Sequence, residues 1–291
     1  MSTLEIQPAH LRSIAEMLAR EAAAFVRRRR SEVFGAEPGG ADDSAVQTKT
    51  TPTDPVTIVD TETEQLLRDR LAQLRSGDAV LGEESGGPTD PTAGEDDAVT
   101  WVLDPIDGTV NFVYGIPAYA VSVAAQVNGE SVAGAVADVV GDRLYSAAAG
   151  LGAQVVDIDG ARALRCSAVD DLSLALVGTG FAYSGRRRSA QAELVSKMLP
   201  TVRDIRRIGS AALDLCMVAA GRLDAYYEHG LKVWDCAAGA LIAAEAGARV
   251  LQPEPGDPQR NDAVVVAAAP GIADQLLGRL ADFDGLAPIP G

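Results

Sequence analysis

The chain has 291 residues, of which 47% are apolar and only 4% aromatic, so a disordered chain is excluded and the core is built mainly of Ala, Val, Leu and Ile. A formal net charge of −16, with no basic stripe interleaved with aromatics, argues against direct nucleic-acid binding. Cys166, Cys216 and Cys236 form no CxxC pair or disulfide framework, Met1 to Glu5 lacks a signal-peptide pattern, and no apolar run approaches the ~18 residues of a membrane span. A cytoplasmic protein without membrane contact is expected.

Leu11, Ile14, Leu18, Ala22, Phe25 and Val26 recur at helical spacing, which predicts an amphipathic helix over 10–30 that ends in the basic run Arg27 to Arg30. Gly35 to Pro55 is rich in Gly, Pro, Asp and Thr and predicts a long mobile loop. A second helix is expected from Asp60 to about Arg75, with Asp60 in the N-cap position and Ser76-Gly77 as its stop.

Apolar runs at 79–81, 99–103, 119–127, 131–140, 143–147 and 154–158 follow, punctuated by Asn128-Gly129, Gly141-Asp142 and Asp159-Gly160. These hairpin signals predict a largely antiparallel sheet, so 1–165 reads as an α+β lobe. After Cys166, strands (174–177, 202–205, 223–227, 249–252, 263–267) alternate with helices (190–199, 210–220, 234–246, 272–280), and 166–291 reads as an α/β lobe. Arg186 to Arg188 fall in a Gly/Ser-flanked loop and His229 in a Gly-flanked turn, while Glu254 to Asp262 reads as an exposed turn.

With 2 histidines, His10 and His229, and no HExxH-like pattern, any metal chemistry must use carboxylates, which select hard cations such as Mg2+, Mn2+ or Ca2+. A triad built on histidine is disfavoured. Asp104-Pro-Ile-Asp107-Gly-Thr109 follows the apolar run Trp101-Val-Leu and can aim two carboxylates at one point. Gly108 permits close approach, and the amides of Gly108, Thr109 and Val110 suit an anion. An ordinary β-turn accounts for the same residues, and both readings stand. Glu83 and Glu84 alone read as solvated acids, Asp60 and Asp235 as helix caps, and Glu228 as a strand end suited to solvent or a hydroxyl.

Together, Gly82-Glu-Glu-Ser85, Trp101-Val-Leu-Asp-Pro-Ile-Asp-Gly-Thr-Val-Asn-Phe112, Gly209-Ser-Ala-Ala-Leu213, Asp224-Ala-Tyr-Tyr-Glu228 and Trp234-Asp235 resemble the inositol monophosphatases, and most of all their bacterial, SuhB-type branch. The resemblance runs from Lys49 to about Val250. It implies a layered αβαβα sandwich of the inositol monophosphatase, fructose-1,6-bisphosphatase and sugar phosphatase type, with the site in the cleft between the lobes. Glu83, Asp104 and the Ile106 carbonyl look like ligands of one Mg2+, and Asp104, Asp107 and Asp235 like those of a second. A third, weaker ion touches Glu83, Mn2+ is a possible substitute, and Li+ is an expected inhibitor. Asp60 and Thr109 look like the pair that polarises the attacking water. Gly108, Thr109, Arg206, Ala211, Glu228 and Asp235 fall where the family contacts substrate, and Lys49 on its mobile loop. No family role maps onto Glu32 to Gln47.

The activity implied is hydrolysis of myo-inositol monophosphate by a homodimer acting on a small phosphorylated polyol. Fructose-1,6-bisphosphatase, or a phosphatase for histidinol phosphate or a nucleotide, is the alternative within the class, with Arg186 to Arg188 as a source of a second phosphate pocket. A regulatory partner of a transcription complex is the non-enzymatic alternative.

Overall fold

The computed structural model describes residues 7–35, 46–48, 55–87 and 98–291. In chain order these form α1 (Pro8–Phe34), β1 (Val46–Thr48), β2 (Pro55–Thr57), α2 (Ile58–Leu74), β3 (Ala79–Gly82), β4 (Val99–Asp107), α3 (Thr109–Tyr114), β5 (Ala120–Val127), β6 (Glu130–Asp138), β7 (Arg143–Ala148), β8 (Ala153–Asp157) and β9 (Gly160–Ala163). There follow β10 (Leu176–Thr179), α4 (Gly185–Met198), β11 (Asp204–Arg206), α5 (Ala211–Ala219), β12 (Ala225–His229), α6 (Val233–Glu245), β13 (Arg249–Leu251), β14 (Val264–Ala268) and α7 (Ala273–Asp282).

Strands β3 to β9 make a seven-stranded sheet in sequence order, antiparallel except for the parallel β3–β4 pair. The second sheet has five strands in the order β11-β10-β12-β14-β13, with β10 parallel to both neighbours. Leu11, Leu18, Ala22 and Val26 of α1 and Leu67 and Leu71 of α2 pack on one face of the first sheet. Its other face, through Val102, Ala124 and Val136, meets Ala212 and Cys216 of α5 and Ala238 and Ile242 of α6. The opposite sides of α5 and α6 meet Tyr226 and Val265 of the second sheet, and α4 and α7 cover that sheet's far face. The result is a five-layer αβαβα sandwich.

The sequence accounts for this layering. Strand β5, Ala-Val-Ser-Val-Ala-Ala-Gln-Val, is buried at all but its last residue because helices cover both faces of the sheet, so it reads as a run and not as an alternation. Helix α5 is apolar almost all round, as a helix between two sheets must be. Small residues keep the layers close: a β-carbon on Gly239 of α6 would stand 2.9 Å from Leu215 Cβ of α5, and one on Gly134 of β6 would stand 3.0 Å from Ala238.

Several expectations are corrected. Part of the loop predicted after Gly35 is paired, since β1 and β2 run antiparallel. Helix α2 begins earlier than expected, at Ile58 with Thr57 as N-cap, which moves Asp60 to the third helical position. Arg186 to Arg188 lie in the first turn of α4, where cations oppose the helix dipole. Tertiary pairing compensates: buried Arg187 bonds to Asp262 and donates from Nε to the Ile289 carbonyl (2.7 Å). His229 is the last residue of β12 and is buried, and burial lowers it to about 4, so it stays neutral. In the basic run of α1, Arg29 holds Glu62 and Arg27 and Arg30 donate to the carbonyls of Val139 and Phe112, while Arg28 is exposed. Among the described residues no helix is long and apolar enough to cross a membrane. Lys49 and most of the segment after Glu32 lie outside the described residues.

Substituting Gly239→Val forces α5 and α6 apart at the middle layer. We expect a loss of about 1–3 kcal/mol, as for other overpacked cores, read as a lowered thermal midpoint. An unchanged midpoint would show that the α5–α6 spacing has slack.

Candidate active site

A cavity of about 410 Å³ opens where the two sheets meet. Asp104, Ile106, Asp107, Gly108 and Thr109 line it from β4 and the turn beyond, Glu83 from the turn after β3, and Ala211 and Asp235 from the starts of α5 and α6. Glu228 lines it from the end of β12.

Two carboxylates three residues apart face opposite ways on a regular strand. Here the β4–β5 register shifts between Asp104, opposite Ser122, and Asp107, opposite Ala120. The bulge takes up the odd residue, so both acids line the same cavity. Gly108 follows with φ 99°, and a β-carbon there would stand 3.0 Å from the Ala118 carbonyl and 3.1 Å from that of Gly209. Backbone conformation and close approach both demand glycine.

Each acid is held by a specific partner. Asp107 Oδ2 accepts hydrogen bonds from Ser210 Oγ (2.6 Å) and the Ala212 amide (2.7 Å). Asp60 is buried, and its Oδ2 accepts from the amide (3.0 Å) and hydroxyl (2.5 Å) of Thr57. Its Oδ1 faces Thr109 Oγ1 at 3.2 Å, and that hydroxyl also lies 3.1 Å from the Ile106 carbonyl. Asp235 Oδ2 accepts from the Lys232 amide at 2.6 Å, and Glu228 Oε2 from the Tyr226 hydroxyl at 2.5 Å.

The Glu83 turn rests on Glu64, which sequence reasoning passed over. Fully buried Glu64 accepts from Arg68 Nε (2.8 Å), the Glu84 amide (2.7 Å) and the Ser85 amide (3.0 Å). A β-carbon at Gly82 would collide with its carboxylate, which explains the glycine before the two glutamates. The available signal was the i, i+4 pair of Glu64 and Arg68 on α2.

Burial raises the proton affinity of these acids. It pushes Asp60 up to about 7 and Glu228 to about 7, and lifts Asp107 above the carboxylate range. Asp235 is driven well above that range, first by burial and then by Glu83 and Asp107. On this wall the acids outnumber the cations Arg187, Arg207 and Lys232. Glu83, Asp104, Asp107, Asp235 and the Ile106 carbonyl form an all-oxygen donor set, whose chemistry fits hard divalent cations. Among the described residues no three His, Cys, Asp or Glu side chains are close enough to form a ready-made ligand cluster. Repulsion between uncompensated carboxylates opposes such closure.

One expected residue lies elsewhere. The Arg206 guanidinium is exposed on Asp204, and Arg207 lines the cavity in its place. Lys232, Arg187, His229 and the segment 180–184 also line the wall, and the sequence reading assigned no site role to Lys232 or to 180–184.

A five-layer αβαβα fold with an acid-lined cleft between its sheets defines a metal-dependent phosphatase. The model of the inositol monophosphatase family matches residues 7–284, and the chain belongs to that family. It is 71% identical to the inositol-1-monophosphatase of Mycobacterium leprae, over 99% of each chain. It is 38% identical to the Nus factor SuhB of Pasteurella multocida, over 82% of this chain and 86% of that one. The solved structure of Mycobacterium tuberculosis SuhB superposes with a TM-score of 0.82 at 63% identity, covering 97% of this chain and 100% of the other.

Replacing Glu64 with Gln removes a charge-assisted acceptor from the Glu83 turn. We expect a loss of about 1–3 kcal/mol in urea unfolding and a smaller thermal stabilisation by added Mg2+ than in the parent. An unchanged urea midpoint would contradict the role given to Glu64.

Proposed function

We propose that the protein hydrolyses myo-inositol 1-phosphate to myo-inositol and phosphate, with Mg2+ as its cation. The observation that carries this is the convergence of Glu83, Asp104, Ile106, Asp107 and Asp235 on one cavity that also presents Glu228. Glu83, Asp104 and the Ile106 carbonyl would hold one ion, and Asp104, Asp107 and Asp235 a second. Bound there, the ions supply charge neutralisation of the phosphate, acidification of water and stabilisation of the leaving oxygen.

The chain's own groups supply the rest. Thr109 Oγ1 passes its proton to Asp60 Oδ1, 3.2 Å away, as it takes one from the attacking water. Burial raises Asp60 above the usual carboxylate range, which favours its taking up that proton. The amides of Gly108 and Thr109 receive the phosphate oxygens. Ala211, Glu228 and Asp235 contact the polyol, with Glu228 as a hydroxyl acceptor.

Two of the three arginines of the basic run on α4 are engaged within the protein, which favours a monophosphate over a bisphosphate. Arg187 is committed to Asp262 and the Ile289 carbonyl, and Arg188 to the Ala182 carbonyl (3.1 Å). A kinetic panel of myo-inositol 1-phosphate, fructose 1,6-bisphosphate and adenosine bisphosphate, run with Mg2+, EDTA or Li+, tests this. Inositol phosphate should be the best substrate, EDTA should abolish turnover and Li+ should inhibit it. Inositol phosphate as the poorest of the three, or full activity in EDTA, would sink the reading.

Kinship to proteins named Nus factor SuhB favours a second, non-catalytic reading as a partner of a transcription complex. Asp107→Asn separates the two. It should lower kcat by more than the roughly 10–100-fold typical of losing an outer-shell partner. A cellular role that survives in this variant is non-catalytic, and near-normal kcat would refute Asp107 as a ligand.

A further inference from the structure

Behind Glu228 lies a built support that the reaction as proposed does not use. Successive residues of β12 face opposite layers, so Tyr226 and Glu228 share the face toward α5 and α6, while Tyr227 packs toward α4 and α7. Tyr226 is completely buried, and its hydroxyl donates to Glu228 Oε2 at 2.5 Å. Among the described residues Glu228 Oε1 takes part in no described hydrogen bond, so one oxygen is committed to the protein and the other is left for a ligand.

The neighbouring strand makes room for this pair. Gly178 of β10 is the register partner of Tyr226. A β-carbon on it would stand 3.2 Å from the Tyr226 ring and 3.0 Å from Asp214 Oδ1. Two residues on, a β-carbon at Gly180 would collide with the Glu228 carboxylate. Glycine weakens a strand, and here one within β10 and one just past its end admit a tyrosine and the carboxylate it holds. Asp214, buried on the first turn of α5 and with no hydrogen-bond partner for Oδ1 among the described residues, closes the back of the site and adds repulsion against Glu228.

We propose that Tyr226 is a positioning residue for substrate selection, fixing the Glu228 carboxylate so that its second oxygen accepts hydrogen bonds from the hydroxyls of a polyol monophosphate. This rests on the reading of Glu228 as the hydroxyl contact. A glutamate at a strand end has several rotamers of similar energy, and ordering it on substrate binding costs affinity. The tyrosine hydrogen bond meets that cost during folding. Its benefit therefore falls on the binding of hydroxyl-bearing substrates and not on the chemical step.

The test is Tyr226→Phe, which keeps the ring and removes the donor, assayed on myo-inositol 1-phosphate and on 4-nitrophenyl phosphate, which offers no hydroxyl. KM for the inositol ester should rise about five- to tenfold with kcat changed less than about twofold, in line with the net loss of one ordinary hydrogen bond. The kcat/KM ratio of inositol ester to aryl ester should fall by a similar factor. In a Glu228→Ala background, which leaves Tyr226 nothing to position, the effect of Tyr226→Phe on that ratio should vanish. Equal losses on both esters, or an undiminished effect in the Ala background, would overturn the proposal. If Glu228→Ala leaves the ratio untouched, the hydroxyl-contact reading itself fails and takes this inference with it. Should Tyr226→Phe fold poorly by thermal melt, Gly180→Ala displaces the Glu228 carboxylate from the other side. It must then give the same selective rise in KM, and its absence would equally overturn the proposal.

Discussion

Asp107 ends β4 on the seven-stranded sheet, and its Oδ2 takes hydrogen bonds from Ser210 Oγ and the Ala212 amide at the start of α5. Helix α5 belongs to the layer between the sheets, so this contact joins the first sheet to the element that also carries the second. Ser210 has two tasks there, since its hydroxyl donates to Asp107 and accepts the Leu213 amide as the helix N-cap. A buried carboxylate without such donors would cost several kcal/mol. The cleft between the sheets therefore exists where α5 can satisfy an acid delivered by β4. Everything placed around that cleft, from Glu83 to Glu228, depends on this junction.

The other acids are held by the same economy. Asp60 and Asp235 both occupy the third position of a helix, where each carboxylate takes the backbone amide of the N-cap residue, Thr57 or Lys232. The capping interaction and the placing of a cavity acid are thus one hydrogen bond seen from two sides. It satisfies one oxygen and leaves the carboxylate poised at the helix start, where the positive end of the dipole favours its charge. Glu64 gives the turn of Glu83 an equivalent anchor through two amides. Burial still raises Asp60 and Asp235 far enough that their ionised forms call for positive charge nearby.

Most elements were legible from period and punctuation. Helices α1, α2, α5 and α6 and the meander β5 to β8 appear where apolar spacing and Asn-Gly or Asp-Gly turns place them. The failures share a cause. Arg186 to Arg188 read as a loop because Gly and Ser flank them, and Asp262 and the Ile289 carbonyl, distant in sequence, make a basic first turn tolerable there. His229 read as a turn because glycine follows it, while five-stranded pairing with β14 extends β12 through it. Arg206 and Arg207 are chemically identical neighbours, and the twist of β11 alone decides which one faces the cavity.

By itself the sequence determined the α+β and α/β patterning of its two halves, the set of acids available and the glycine at 108 that permits close approach. These are local properties, carried by residue type and spacing. Tertiary structure alone decided that a bulge in β4 turns Asp104 and Asp107 to one side and that Glu64 underpins the Glu83 turn. It alone set Tyr226 behind Glu228 with Gly178 and Gly180 yielding the space. The physical reason is that a side chain's direction on a strand depends on register with its neighbours, and register is a property of the assembled sheet.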